Sequence, residues 1–192
     1  WLGTTGYGTF AYAITWVGLL GVPAALGLPL VIVREIAAYQ TRSEWSLIKG
    51  LLRWANQVVA FISVGLALLA LIIAWNFHPT ANSQMLSTFW IVVLSLPLNS
   101  LIIIRQSAMQ GLHRVVSGQL VDMLIRPILF IILIGSIYLF SGKSSGNIAA
   151  VIHLISTAAA CIIGAQMLRH TLPREVKEAI PDYQTKAWMA SS

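Results

Sequence analysis

Residues 54–75 read WANQVVAFISVGLALLALIIAW and contain no Lys, Arg, Asp or Glu. Because a helix of about 20 apolar residues crosses the hydrocarbon core of a bilayer, this stretch alone predicts a membrane span. The same four charged residue types are absent from all of residues 54–104 and from residues 1–33. Over the 192 residues, 57% are hydrophobic and only 9% are charged. A water-exposed surface needs far more charge, so the chain belongs in a membrane.

Apolar runs that end at turn-forming or charged residues predict an all-α, polytopic transmembrane helix bundle with about five spans. The predicted spans cover residues 10–33, 54–75, 87–108, 119–140 and 147–168. They form a transmembrane domain of residues 1–170. Residues 171–192 are predicted to be a cytoplasmic tail or an inter-lobe linker.

Basic residues are concentrated in the loops on one side of this predicted bundle. Of the 12 Lys and Arg residues, 11 fall on that side and only Lys143 falls on the other. Because basic loops stay in the cytoplasm, residues 34–53, 105–126 and 169–192 are predicted to be cytoplasmic and the N-terminus to be outside. The net charge of +6 forms no basic face with interleaved aromatics, so nucleic acid is not expected as a partner.

Aromatic residues at the predicted span ends are expected to anchor the helices at the membrane surfaces. They are Trp54, Trp75, Phe89 and Trp90. Pro23 and Pro97 fall inside predicted spans, where a proline bends a helix. Gly21 and Ala25 form a small-residue pair that permits close packing of helices.

The sequence shows no constellation of catalytic or metal-binding residues. Its single cysteine, Cys161, excludes a Cys-cluster metal site and an intrachain disulfide. The four histidines lack the paired spacing of zinc ligands. We therefore expect neither an enzyme nor a bound cofactor.

Charged residues inside a predicted span are the first candidates for function, because each costs about 2.5–3.5 kcal/mol at the centre of a membrane helix. In the fourth span, Gln119, Asp122 and Arg126 have the spacing of one helix face, and the last two form an i,i+4 pair. Two interpretations stay open. Arg126 binds an anionic headgroup in a pathway, or the pair lies near the interface and extends towards water.

A second polar stripe lies in the third span. Ser95, Asn99 and Gln106 share a face there, and Arg105 lies beside it. Asn99 contacts substrate hydroxyls in one interpretation and makes interhelical hydrogen bonds in the other. A cavity shared by Asn99, Arg105 and Arg126 would favour the pathway interpretation, and packed helix interfaces would favour the other.

Several short motifs stand in one order along residues 2–140. They are Leu2-Gly3, Tyr7-Gly8-Thr9-Phe10-Ala11, Gly27-Leu28-Pro29, Val33-Arg34-Glu35-Ile36-Ala37, Gln110-Gly111-Leu112-His113-Arg114 and QLVDMLIRP at 119–127. Together they resemble the lipid-linked oligosaccharide flippases. These are the polysaccharide-transporter, Wzx-like branch of the MOP superfamily, which also holds the MATE drug exporters and the lipid II flippases.

This resemblance implies a MATE-like N-terminal lobe that lacks its first helix. The implied function is the passage of an undecaprenyl-pyrophosphate-linked oligosaccharide to the outer leaflet of the bacterial plasma membrane, for O-antigen or exopolysaccharide biosynthesis. It implies a cationic cavity between two lobes that opens alternately to the two sides. The expected partners are the lipid-linked anionic glycan, membrane lipid, and the missing first helix and C-terminal half of a longer transporter. The candidates for the cavity are Arg34, Arg105 and Arg126, with Asp122 positioning Arg126 and Asn99 as a polar contact.

Two other functions remain open. A MATE-like drug or cation antiporter would need intramembrane carboxylates, and Asp122 is the only acidic residue in a predicted span and stands beside Arg126. A non-transporting membrane scaffold would use the polar stripes only to hold helices together.

Overall fold

The structure, a computed structural model, describes residues 3–25, 27–76, 83–141, 146–185 and 188. Within these ranges the chain is almost entirely helical and contains no strand, which confirms the all-α class. Five helical stretches there are long and apolar enough to cross a bilayer, which confirms the polytopic bundle. They are Gly6–Ala25, Trp45–Asn76, Met85–Gly111, Val115–Leu139 and Gly146–Thr171.

The region predicted as one span at 10–33 forms two helices, α1 (Gly3–Ala25) and α2 (Leu28–Thr41). Gly27 lies between them with a φ of 69°, a backbone conformation that side chains with a Cβ rarely adopt. Pro29 stands in the first turn of α2, where its missing N–H leaves no helix hydrogen bond unmade. The Gly-Leu-Pro sequence therefore ends one helix and starts the next.

The next two spans extend beyond their apolar runs or divide within them. Helix α3 (Trp45–Asn76) begins before the run at 54–75, and its early residues Ile48 and Leu51 are fully buried. The third span consists of α4 (Ser83–Val93) and α5 (Leu96–Gly111). Pro97 stands in the first turn of α5, so the break falls just before the proline.

The fourth span contains a widened turn. Helix α6 (Val115–Leu120) continues into a π-helix (Val121–Ile125) and then into α7 (Arg126–Ser141). The backbone N–H of Arg126 donates to the carbonyl oxygen of Val121, which is the i to i+5 pattern of a π-helix. Pro127 explains this turn, because in a regular α-helix its ring would clash with the carbonyl of Met123.

The fifth span, α8 (Gly146–Thr171), is followed by the short helix α9 (Arg174–Glu178). Helix α5 packs against α2, α3 and α8, while α1 packs against α4 and α8. Large apolar side chains such as Phe61 and Leu139 are more than 80% exposed on the outer faces. In water these exposed side chains would be unfavourable, whereas lipid solvates them.

Contacts between distant segments gather three of the basic regions at one end of the bundle. Gly111 packs closely against Ile36 and the carbonyl oxygen of Val33. The Lys49 ammonium donates to the carbonyl oxygens of Lys177 and Ala179. Five antiparallel spans produce this arrangement, because they bring alternate connections to the same end. Lys143 and Lys186 lie outside the described residues.

The segment after α8 packs on this end, and we call its residues 172–185 and 188 the C-terminal strap. Trp188 is 1% exposed, its Nε1 donates to the Tyr39 hydroxyl at 3.0 Å, and its ring centroid lies 5.5 Å from that of Trp54. The strap backbone also crosses directly over Gly50. Trp54 is therefore covered by protein, whereas its position at the end of an apolar run had indicated an anchor in the membrane surface.

Candidate functional site

A cavity of about 560 Å³ opens among α1, α2, α5, the π-helix, α7 and α8, and we call it the mid-bundle cavity. Four polar side chains line it: Asn99, Asp122, Arg126 and His153. The rest of its lining is apolar or glycine and comprises Ile14, Val17, Gly18, Gly21, Val22, Ala25, Gly27, Pro29, Leu30, Ile102 and Ile103. The cavity therefore has one small polar region in an otherwise apolar wall.

Arg126 lies at the centre of the polar region. Its Nη1 donates to Oδ1 of Asp122 at 3.1 Å, and its Nη2 lies 3.1 Å from Nε2 of His153. A guanidinium has donors and no acceptor, so Nε2 accepts in this contact and the ring proton is on Nδ1. The Arg126 side chain is 21% exposed and lies within the bundle, where its two partners on two helices fix its direction.

His153 is held by aromatic rings. Its ring meets Phe10 edge-on at a centroid distance of 5.8 Å and Phe130 at 6.4 Å, and the two phenyl rings stack at 5.9 Å. Only 9% of His153 is exposed. This packing leaves the imidazole little freedom, so it presents a fixed acceptor to Arg126.

Sequence reasoning missed His153, because histidines were considered only as metal ligands. Its partner Arg126 stands 27 residues earlier on another helix, and no local spacing connects them. A usable signal was present, since His153 is an ionisable residue well inside an apolar run.

Asn99 reaches the cavity from α5. Its Nδ2 donates to the Ser95 hydroxyl at 3.3 Å, and that hydroxyl donates to the carbonyl oxygen of Val92 at 2.7 Å. These bonds satisfy backbone and side-chain groups at the break between α4 and α5. Two members of the predicted stripe, Ser95 and Asn99, therefore bond to each other, while Asn99 also lines the cavity.

The two remaining candidates lie elsewhere. The Nη1 of Arg105 donates to the carbonyl oxygen of Cys161 at 2.5 Å and contacts its Sγ at 2.8 Å, which ties α5 to α8. Arg34 pairs with its neighbour Glu35 at 2.8 Å, and its side chain is 63% exposed. The structure thus brings Asn99, Asp122 and Arg126 together in one cavity and places Arg34 and Arg105 outside its lining.

The glycines of α1 have a different use from the expected one. A Cβ added at Gly18 or Gly21 would meet no atom within 4 Å, because both positions face open space. The spacing of Gly21 and Ala25 had suggested close packing of another helix at Gly21, but none of the described helices packs there. Instead, the missing side chains widen the mid-bundle cavity.

Several of the motifs that carry the family resemblance surround this cavity or support it. Phe10 packs on His153, the Gly27-Leu28-Pro29 junction forms part of the wall, and the 119–127 stretch supplies Asp122 and Arg126. Gly111, from the motif at the end of α5, packs on Ile36, which allows α5 to pack closely against α2.

Comparison with known proteins supports one assignment. The search of curated proteins and the search of solved structures each returned no match. A family model described as polysaccharide biosynthesis protein matches residues 1–191. Because that match covers nearly the whole chain, this multi-pass membrane protein belongs to the polysaccharide biosynthesis protein family, the polysaccharide-transporter, Wzx-like group that its motifs resemble.

Proposed function

We propose that this chain takes part in flipping an undecaprenyl-pyrophosphate-linked oligosaccharide from the cytoplasmic to the outer leaflet of the plasma membrane. The observation that carries the proposal is the intramembrane guanidinium of Arg126, held between Asp122 and His153 in an open cavity. Family membership supports polysaccharide as the cargo class. The pyrophosphate is the part of that cargo which needs a cation inside the bundle.

Arg126 has the donors that a pyrophosphate requires. An anion inside a low-dielectric bundle is costly unless charged hydrogen bonds compensate it, and arginine binds phosphate oxygens through two parallel N–H groups. The contacts with Asp122 and His153 use one N–H on each terminal nitrogen. A guanidinium has five N–H donors, so further donors remain for an incoming phosphate oxygen.

Asp122 gives the empty and loaded cavities different electrostatics. Without cargo, its carboxylate neutralises Arg126, which keeps the net charge of the polar region low. An arriving pyrophosphate competes with Asp122 for the guanidinium, and that competition loosens an ion pair that spans the π-helix. A ligand shifts a conformational equilibrium only through different contacts in the two states, and this exchange supplies such a difference. Since Asp122 is engaged with Arg126, the antiporter alternative gains no support here.

The cavity size indicates which part of the cargo it holds. A volume of about 560 Å³ lies within the range of about 300–1,000 Å³ for small-ligand pockets. That is room for a pyrophosphate and the sugar next to it, with Asn99 as a polar contact for hydroxyl groups. The rest of the glycan and the lipid chain extend outside it.

We further propose that the basic end of the bundle faces the cytoplasm. In this orientation, the connection between α2 and α3, the connection between α5 and α6, and the segment after α8 lie inside, as the excess of basic residues around them favours. The cargo then enters from the cytoplasmic leaflet, at the basic end of the bundle.

The decisive experiment is Arg126→Ala in the full protein in its native membrane, with outer-leaflet delivery of lipid-linked glycan as the readout. Loss of charged hydrogen bonds worth about 1.5–3 kcal/mol predicts a roughly ten- to hundredfold fall in delivery. Arg126→Lys keeps the charge without the planar fork and should retain part of the activity. Arg42→Ala removes an equal charge at an exposed position outside the cavity and should leave delivery unchanged. Normal delivery by Arg126→Ala at equal membrane levels would refute the proposal.

A further inference from the structure

A second cavity, of about 1020 Å³, lies at the basic end of the bundle between α3, the end of α8 and the C-terminal strap, and we call it the end cavity. Its basic side chains are Lys49, Arg53, Arg169, His170 and Lys177. Among the residues that the structure describes, no Asp or Glu lines it. The proposed flipping route does not use this site, because none of these residues lines the mid-bundle cavity.

Lys49 builds the cavity rather than serving as a free cation. Its ammonium donates to the carbonyl oxygens of Lys177 at 2.5 Å and Ala179 at 2.8 Å, at the C-terminal end of α9. A cation there satisfies carbonyls that have no partner within the helix. The strap is held against α3 by this contact and by the Asp182 N–H, which donates to the Ser46 carbonyl oxygen at 3.2 Å.

The other cations of the end cavity lack a carboxylate partner in the described part of the chain. The ion pairs among the described residues are Arg34 with Glu35 and Arg126 with Asp122, and neither lies in the end cavity. Arg53, Arg169 and Lys177 are therefore exposed, like-charged side chains around one space. Their mutual repulsion falls when an anion binds between them.

The position of the end cavity selects an amphipathic anion. Arg53 immediately precedes the uncharged run 54–75, and Arg169 follows the apolar part of α8. Leu52, Leu168 and Val176 line the same space, so the basic rim stands above an apolar floor. A small soluble anion gains nothing from such a floor, whereas a lipid places its headgroup on the rim and its glycerol and first methylenes on the leucines.

We infer that the end cavity binds the phosphate headgroup of an anionic phospholipid, with Arg53 and Arg169 as the principal donors. The shared chemistry is a phosphate group that accepts charged hydrogen bonds, as basic pockets between membrane helices bind anionic headgroups. Gln57 and Tyr183 also line the cavity and suit the hydroxyls of a glycerol headgroup. The bound lipid bridges α3, α8 and the strap.

Native mass spectrometry of the full protein tests this inference, with phosphatidylglycerol and phosphatidylethanolamine of identical acyl chains as probes. We expect the wild type to retain phosphatidylglycerol in preference to phosphatidylethanolamine. Arg53→Ala combined with Arg169→Ala should weaken phosphatidylglycerol binding by about tenfold or more. The matched control combines Arg42→Ala with Arg114→Ala, which removes the same charge from exposed positions outside the cavity and should change binding by less than about twofold.

Two further measurements distinguish a lipid phosphate from free phosphate and keep the test interpretable if the Ala variant misfolds. Inorganic phosphate at millimolar concentration should not displace the lipid; displacement, or equal retention of the two lipids, overturns the lipid assignment. An equal loss in both Ala variants overturns the site, because general surface charge then explains the binding. Arg53→Lys combined with Arg169→Lys keeps the charge and should retain lipid if the Ala variant fails to fold. A negative result for phospholipid binding does not change the expected effect of Arg126→Ala on glycan delivery, so the two proposals are tested independently.

Discussion

The mid-bundle cavity and the end cavity solve the problem of a positive charge in a membrane protein in opposite ways. In the mid-bundle cavity, Arg126 is 21% exposed and has a carboxylate and an imidazole as partners. In the end cavity, Arg53 and Arg169 are exposed and lack a carboxylate partner among the described residues. The difference follows from solvation. A charge inside the bundle needs a partner from the protein, whereas a charge at the membrane surface is hydrated and stays available to a ligand.

The largest expected effect comes from a substitution that disrupts the end cavity and leaves the mid-bundle cavity intact. A Cβ added at Gly50 would overlap the carbonyl oxygen of Asp182, so Gly50→Ala forces the strap away from α3. We expect a loss of at least about 1–3 kcal/mol in the stability of strap docking, seen as faster proteolysis after residue 172. Phosphatidylglycerol retention should fall with it, while glycan delivery per folded protein should persist. Gly135→Ala, where an added Cβ meets nothing within 4 Å, is the matched control. An uncleaved strap in Gly50→Ala would contradict the described packing.

The next prediction concerns two arginines that the sequence presents as equivalent. Arg105→Ala removes the bonds between α5 and α8 and should lower stability by about 1–3 kcal/mol, measured as thermal unfolding in detergent. Delivery normalised to folded protein should stay near the wild-type level. Arg126→Ala should instead reduce delivery per folded protein, because the anion loses its partner, and should also lower stability, because the Asp122 carboxylate is left unpaired within the bundle. A delivery defect in Arg105→Ala without loss of stability would place that residue on the pathway.

A smaller effect is expected at His153, which orients Arg126. His153→Ala removes one acceptor, worth about 0.5–1.5 kcal/mol, and should reduce delivery roughly two- to tenfold. His153→Gln keeps an acceptor oxygen within reach of Arg126 and should recover much of that loss. If Gln and Ala behave alike, the hydrogen bond to Arg126 is not the contribution of His153.

The smallest expected effect is that of salt, which screens exposed charges more strongly than charges inside the bundle. Raising the ionic strength from about 0.1 M to about 1 M shortens the Debye length from about 10 Å to about 3 Å. Phosphatidylglycerol retention at the exposed end cavity should weaken by several-fold in native mass spectrometry after equilibration at each salt concentration. The ion pair of Arg126 lies inside the bundle, so anion binding there should change less. Equal salt dependence at both sites would contradict the difference in exposure on which this comparison rests.

The sequence by itself determined the membrane placement, the all-α class, the number of spans and the grouping of Asp122 with Arg126. Each of these depends on local properties, namely the hydropathy of a run or the spacing of residues on one helix. The π-helix also had a local cause in Pro127, although its i to i+5 bonding appeared only in the structure.

Only the tertiary structure decided which polar residues meet. Arg105 and Arg126 carry the same charge, yet one contacts Cys161 across a helix interface and the other contacts His153 in a cavity. Likewise, Trp54 stands at the start of an apolar run, as a lipid-facing anchor would, but Trp188 covers it. The physical reason is that hydropathy fixes how deep a residue lies in the membrane, whereas its partner depends on how helices far apart in sequence pack against one another.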